Sequence, residues 1–182
     1  AVFSFHPRKP ITTGEGGVIV TNNISQAKEL KMLRHHGMSV SDVVRHKTKK
    51  IIKESYPVIG FNFRMSDLQA SVGVEQMKKL PLILEKRAIL ANRYTQAFSK
   101  TENIIPPFIP EGYVHNFQSY MIRLRKNSKI TRDKLMQKLL DKGISTRVGV
   151  MVAHLEPVYK KMLGKISLPN TENATKETII IP

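Results

Sequence analysis

Four residues, Ser66 to Gln69, constrain the fold of this 182-residue chain more than any others. A serine hydroxyl there can cover an orphan backbone N–H, and a glutamine three residues on can reach back to the serine's own amide. The pair is a reciprocal helix start. Leu68, Val72 and Met77 behind it predict a helical core face. Pro81, tolerated in a first helical turn, predicts the start of a second long helix, with Ile83, Leu84, Arg87, Ala91, Tyr94 and Phe98 at helical spacing. Pro106, Pro107 and Pro110 then punctuate a linker, which predicts a subdomain boundary near 100–112. Tyr120 to Leu124 reads as a strand. Thr131 caps a helix with Leu135, Leu139 and Leu140 inside and Gly143 at its end, and Ile144 to Val148 reads as a return strand. This β-α-β order points to an α/β fold. Ile179, Ile180 and Ile181 predict a further strand, and an apolar strand as the last segment suggests a truncated domain.

The first 21 residues predict two strands around a glycine-rich turn, Val18 to Val20 being a short buried-strand run. A helix is predicted from about Ser25 to His36, with Ala27, Leu30 and Leu33 on one stripe and Gly37 as its stop. Residues 38–62 are polar, basic and weakly periodic, and predict a long irregular excursion.

Thirty Lys and Arg against fourteen Asp and Glu give a formal charge of +16, a balance that attracts polyanions. The cations are spread along the chain. The densest run, Arg45 to Lys50 with Lys53 beyond it, is read as a solvated face. A nucleic-acid-binding module therefore rests on charge alone, without interleaved aromatic platforms or a recognised motif. With no cysteine, disulfides and thiolate metal sites are excluded, and no metal site is expected. No apolar run approaches the roughly 18 residues of a membrane span. The N-terminus lacks the grammar of a signal peptide, so a cytoplasmic protein is the expectation, and the glycosylation-like Asn23-Ile-Ser25 and Asn173-Ala-Thr175 are read as chance.

One lysine stands apart. Lys9 follows Phe3-Ser4-Phe5-His6-Pro7-Arg8 and precedes Pro10-Ile11-Thr12-Thr13-Gly14-Glu15-Gly16-Gly17. A lysine in so basic a chain is ordinarily a surface charge. This one lies between a strand rich in aromatics and a glycine-rich turn, where a side chain can be held rigidly. Ser4 alone would be a strand hydroxyl, and His6 is either a pocket wall or a satisfied strand histidine. The glycines do not form a nucleotide loop, because no Gly-Lys-Ser/Thr follows them.

A serine five residues before a lysine, then T-T-G-E-G-G and an apolar run, resembles the cofactor-lysine segment of the DegT/DnrJ/EryC1/StrS family of pyridoxal-phosphate-dependent sugar aminotransferases. Gly60-Phe61-Asn62-Phe63-Arg64-Met65-Ser66-Asp67-Leu68-Gln69-Ala70 resembles that family's G-Y-N-Y-R-M-T-D-I-Q-A-A block, and Leu33-Arg34-His35-His36-Gly37-Met38 its L-R-x-H-G-M block. Gly143 to Met151, followed by His154-Leu155-Glu156-Pro157-Val158-Tyr159, resembles its small-domain block.

The resemblance implies the C-terminal portion of a fold-type I aminotransferase: residues 1–105 closing the large pyridoxal-phosphate domain with an interface loop and linking helices, and 106–182 forming a small C-terminal α/β domain. It implies Lys9 as the catalytic lysine that condenses with pyridoxal 5'-phosphate, Ser4 as a phosphate contact, and Asn62 as a contact to the phosphate bound by a partner subunit. A homodimer with shared sites follows. His154 and Arg147 become candidate contacts to a nucleotide-linked sugar, and Arg64 is either structural or an anion contact. The implied reaction is amination of a keto group on a nucleotide-linked deoxy-sugar, with glutamate as donor, for cell-surface polysaccharide or amino-sugar biosynthesis. Relatives that dehydrate instead carry histidine at the lysine position, and position 9 is lysine. The family's acid for the pyridine nitrogen, its ring-stacking residue and further phosphate donors lie upstream of the lysine, so this chain alone is expected to be a poor catalyst.

Overall fold

A computed structural model describes residues 1–40 and 42–182, with backbone only for Asp42, Val43 and His46. Ser41, inside the stretch expected to be irregular, and the side chain of His46, inside the basic run, therefore lie outside the described residues. The chain forms two compact units, Ala1–Leu80 and Pro81–Pro182.

The first unit opens with the expected strand pair, but the run read as a buried strand is not buried: Val18, Ile19 and Val20 are 37%, 51% and 48% exposed, because a two-stranded ribbon leaves its faces uncovered in this chain. Strands β1 (Val2–Ser4) and β2 (Gly17–Ile19) run antiparallel, Val2 facing Ile19 and Ser4 facing Gly17. Helix α1 (Ile24–Leu33) starts at Asn23, whose side chain accepts the Gln26 N–H at 3.0 Å. Ala27, Leu30 and Leu33 are half-buried, on the predicted stripe. The helix is shorter than predicted because His36 (φ +58°) and Gly37 (φ +74°) turn the chain into the left-handed region. The stretch expected to be irregular contains a short helix, α2 (Asp42–Lys47), and Arg45 is paired with Glu54 at 2.7 Å. The described basic side chains of the run, Arg45, Lys47, Lys49 and Lys50, are exposed.

Helix α3 (Asp67–Phe98) begins as the capping box predicts: the Ser66 N–H donates to Gln69 Oε1 at 3.1 Å and the Gln69 N–H to Ser66 Oγ at 3.3 Å. Two expectations fail along it. Pro81 does not begin a second helix but lies inside one helix of 32 residues. The ring removes a single i→i−4 bond, a cost of roughly 3 kcal/mol, and the turns on either side carry the helix through. Leu68, Val72 and Met77 are not a core face in this chain. They are 82%, 47% and 52% exposed, because periodicity reports an apolar stripe without saying what covers it.

The second unit is built on a four-stranded antiparallel sheet, in the order β3 (Ile104–Ile105), β4 (Tyr120–Leu124), β6 (Thr178–Ile181), β5 (Arg147–Val148). Strand β4 alternates as a half-buried strand should: Tyr120, Ile122 and Leu124 point in, Met121 and Arg123 out. Ile122, Ile179 and Ile181 meet Ala91 and Tyr120 in the core. Tyr94 and Phe98 of α3 and Leu135 and Met136 of helix α4 (Arg132–Leu140) pack against them. Ala91, Tyr94 and Phe98, predicted at helical spacing, therefore serve as expected, and Thr131 caps α4 as predicted. Leu140 does not serve: it is exposed. The return strand is only two residues long, and it does not lie beside β4. Strand β6 comes between them. Burial raises the pKa of the Tyr120 phenol, against the opposing effect of its 2.8 Å bond with Thr95 Oγ1. Among the described residues no helix is long and apolar enough to cross a membrane.

Candidate functional site

The loop between β1 and β2 is hung on one carbonyl. Phe5 O accepts the Thr13 N–H at 3.1 Å and the Thr12 hydroxyl at 2.7 Å, while the Phe5 N–H donates to Gly16 O at 2.9 Å. Lys9 lies within this closed loop, half-buried, its own N–H donating to His6 O at 2.9 Å. His6 Nδ1 accepts the Arg8 N–H at 3.2 Å, and its Nε2 lies 3.8 Å from Glu15, beyond hydrogen-bond reach. Ser4, at the end of β1, accepts the His6 N–H at 3.3 Å, and among the described residues its O–H remains able to donate.

The loop is pinned to the start of α3. Thr13, 6% exposed, packs where a Cβ on Gly73 would meet its methyl at 3.0 Å, and Gln69 donates its side-chain N–H to Glu15 O at 3.1 Å. Gln69 thus serves the cap and the loop at once. Gly16, at φ +148°, would bring a Cβ within 2.8 Å of Thr13 Oγ1 and 2.9 Å of Met65 Cε, so the turn closes only with glycine there.

Asn62 lies just before α3, in an extended segment bonded to the end of α1. The Phe61 and Phe63 N–H groups donate to Leu33 O (2.7 Å) and Arg34 O (2.9 Å), and the His36 N–H donates to Phe61 O at 2.8 Å. Carbonyls left without partners at a helix C-terminus are satisfied this way. The side-chain oxygen of Asn62 accepts from Arg64 Nε at 2.9 Å. Ser4, Lys9 and Asn62 are therefore all set on backbone of the first unit that is fixed by hydrogen bonds.

His154 and Arg147 belong to the second unit. Arg147, on β5, is exposed. His154 lies on a 3-10 turn (Ala153–Leu155) and is buried, its Nε2 3.1 Å from Glu172 of a helix over Pro169–Glu177. Glu172 also accepts the Leu168 N–H at 2.9 Å; that bond first, and the His154 bond next, hold its pKa below the usual carboxylate value. A carboxylate with a lowered folded-state pKa stabilises the fold above its unfolded pKa, and that contribution is lost as pH falls through the folded value. Acidification through that range is expected to speed exchange of the Leu168 amide beyond its intrinsic pH dependence. Glu172→Gln should show no such step, and a variant retaining the wild-type profile would sink this assignment.

Sequence reasoning missed two links in the first unit. The Gln69–Glu15 bond has no local signal, since 54 residues separate its ends. The Asn62–Arg64 pair had one: residues i and i+2 of an extended segment share a side.

The chain is 36% identical to a UDP-4-amino-4,6-dideoxy-N-acetyl-beta-L-altrosamine transaminase of Campylobacter jejuni, covering 100% of this chain and 46% of that protein. It is 33% identical to an uncharacterised protein of Methanocaldococcus jannaschii, covering 99% of this chain and 47% of the relative. The chain thus spans about half the length of the curated relatives it matches. Among solved structures, Helicobacter pylori PseC, an aminotransferase involved in the biosynthesis of pseudoaminic acid, superposes with a TM-score of 0.85 at 28% identity, over 100% of this chain and 47% of its own. S. venezuelae DesV gives 0.83 at 28% identity, over 100% and 45%. The fold is that of a portion of a fold-type I pyridoxal-phosphate aminotransferase. Residues 1–182 match the family's sequence profile throughout, and the chain belongs to the DegT/DnrJ/EryC1/StrS aminotransferase family.

Proposed function

We propose that this chain is the lysine-bearing part of a pyridoxal-phosphate-dependent transaminase that aminates a keto group on a nucleotide-linked deoxy-sugar, with glutamate as donor, in the cytoplasm. The observation that carries the reading is the bonding that fixes the Lys9 loop at Phe5 O and at the start of α3. The substrate class is supported by the UDP-sugar that the Campylobacter relative's name carries.

The donor set suits the cofactor. Lys9 offers a primary amine at a half-buried, backbone-fixed position. Ser4 offers a hydroxyl proton. Asn62, its oxygen taken by Arg64, offers an amide N–H₂. One amine and two neutral donors match what an aldehyde bearing a phosphate requires. When bound, pyridoxal phosphate supplies an aldehyde that accepts amines and a conjugated ring that takes up electrons.

Every other role falls to the protein. Lys9 would hold the cofactor at its aldehyde through the side-chain amine, and when that amine is free its Nζ would hold and move a proton at the substrate carbon. Ser4 holds the phosphate of its own subunit and Asn62 that of the partner in a homodimer, so each site needs two copies. Arg147 and His154 serve the sugar-nucleotide side, with His154 acting from its bond to Glu172. Residues 1–105 would close the large cofactor domain and 106–182 form the small one. Contacts to the ring nitrogen and ring face belong to the part of the relatives that this chain does not span, so the chain alone would turn over poorly.

A borohydride trap tests this directly. Full-length protein incubated with pyridoxal phosphate, reduced and digested should carry the reduced adduct at Lys9. Labelling scattered over many of the lysines would overturn the reading.

A further inference from the structure

The segment entering α3 alternates like a strand, and the two sets of side chains do different work. Phe61 and Phe63 stack with ring centres 4.9 Å apart and planes within 5° of parallel. Asn62 and Arg64, the intervening pair, lie on the other side of the extended backbone. There Arg64 Nε donates to Asn62 Oδ1 at 2.9 Å, and its terminal nitrogen lies 3.4 Å from His36 Nε2.

The chemistry removes the ambiguity that an amide side chain usually carries. A guanidinium N–H can only donate, so the Asn62 atom facing it must be the oxygen. The amide is thereby oriented, with its N–H₂ group directed away from Arg64. The other end of the fork is equally fixed. His36 is a non-glycine residue at φ +58°, an uncommon conformation that persists where surrounding contacts determine it. Its N–H is bonded to Phe61 O at 2.8 Å, and His35 is bridged to Asn62. The end of α1, the Arg64 side chain and the Asn62 amide form one bonded frame.

We propose that Arg64 is a positioning residue: it presents the Asn62 amide N–H₂ toward a phosphate and acts on that anion through Asn62. The inference rests on the reading of Asn62 as a phosphate contact. An arginine acting as a fork and one acting as a point charge respond differently to lysine, which keeps the cation but loses the planar donor pair.

The test compares binding of pyridoxal phosphate with binding of pyridoxal, which lacks the phosphate, in the full-length protein and its Arg64→Lys, Asn62→Ala and doubly substituted variants. Asn62→Ala should reduce the preference for the phosphorylated form about tenfold, the scale of one hydrogen bond to a charged group. Arg64→Lys should reduce it by a similar factor when Asn62 is present and by less than about twofold when it is absent, as coupled groups do. A merely structural role would weaken both ligands alike and leave the preference unchanged. If Arg64→Lys has no effect on the preference, or an equal effect with and without Asn62, the positioning role is wrong while Asn62 stands. If Asn62→Ala itself leaves the preference intact, Asn62 is not a phosphate contact and both ideas fall.

Discussion

Replacing Lys9 with alanine in the full-length protein is expected to lower transamination by on the order of 10⁴-fold, the loss of both the nucleophile and the proton carrier. The same variant should carry no borohydride-stable adduct. Its thermal stability should barely change. The Lys9 backbone bond, N–H to His6 O at 2.9 Å, survives the substitution, and the loop is held elsewhere by Phe5, Thr12 and Thr13. The informative result is thus a split between activity and melting temperature. Transamination at the wild-type rate would end the proposed function. Equal loss of activity and of fold would mean that Lys9 is structural.

Gly60→Ala should do the reverse and break the fold before it touches chemistry. A Cβ on Gly60 would run into the backbone of Gly37 and the His36 carbonyl carbon, and one on Gly37 into the Val58 carbonyl. The two segments cross with their backbones in contact, and neither side offers a flexible side chain that could give way. A cost of roughly 3 kcal/mol is expected, which for a domain of this size lowers the melting temperature by roughly 6–12 °C. Gly112 supplies the control. It has φ +81°, but a Cβ there would meet no other atom within 4 Å, so alanine should cost about 1 kcal/mol from backbone strain alone. Equal losses at the two sites would show that close approach is not what Gly60 provides.

Much of this fold is legible in local chemistry. The Ser66–Gln69 cap, the Thr131 cap and strand Tyr120–Leu124 all depend on residues a few positions apart, and all occur as read; the hairpin around the glycine-rich turn forms too, though its Val18–Val20 run is exposed. What escapes is what depends on distant partners. The apolar stripe of Leu68, Val72 and Met77 is real as a pattern yet exposed in this chain, since a stripe specifies a surface and not its cover. Pro81 reads as a boundary because its local cost is known, but a helix bonded through on both sides absorbs it. The Gly37–Gly60 crossing leaves no mark in the sequence except two glycines far apart. The site divides in the same way. Lys9, Ser4 and Asn62 are recognisable as residues in characteristic blocks, whereas the bonds that join those blocks, Gln69 to Glu15 and Phe61 and Phe63 to the end of α1, become visible only in three dimensions.

Strand β6 has a consequence for how the second unit comes to exist. It occupies an interior place in the sheet, between β4 and β5, yet it is the last of the four strands in chain order. Arg123 must wait for Thr178, and Ile122 for Ile179, before the middle of the sheet can zip. Until then β4 has only the two-residue β3 beside it, too little to persist alone in water. The middle of the sheet therefore closes only when β6 is inserted between β4 and β5. Closing such distant pairings makes folding slow relative to a helical bundle.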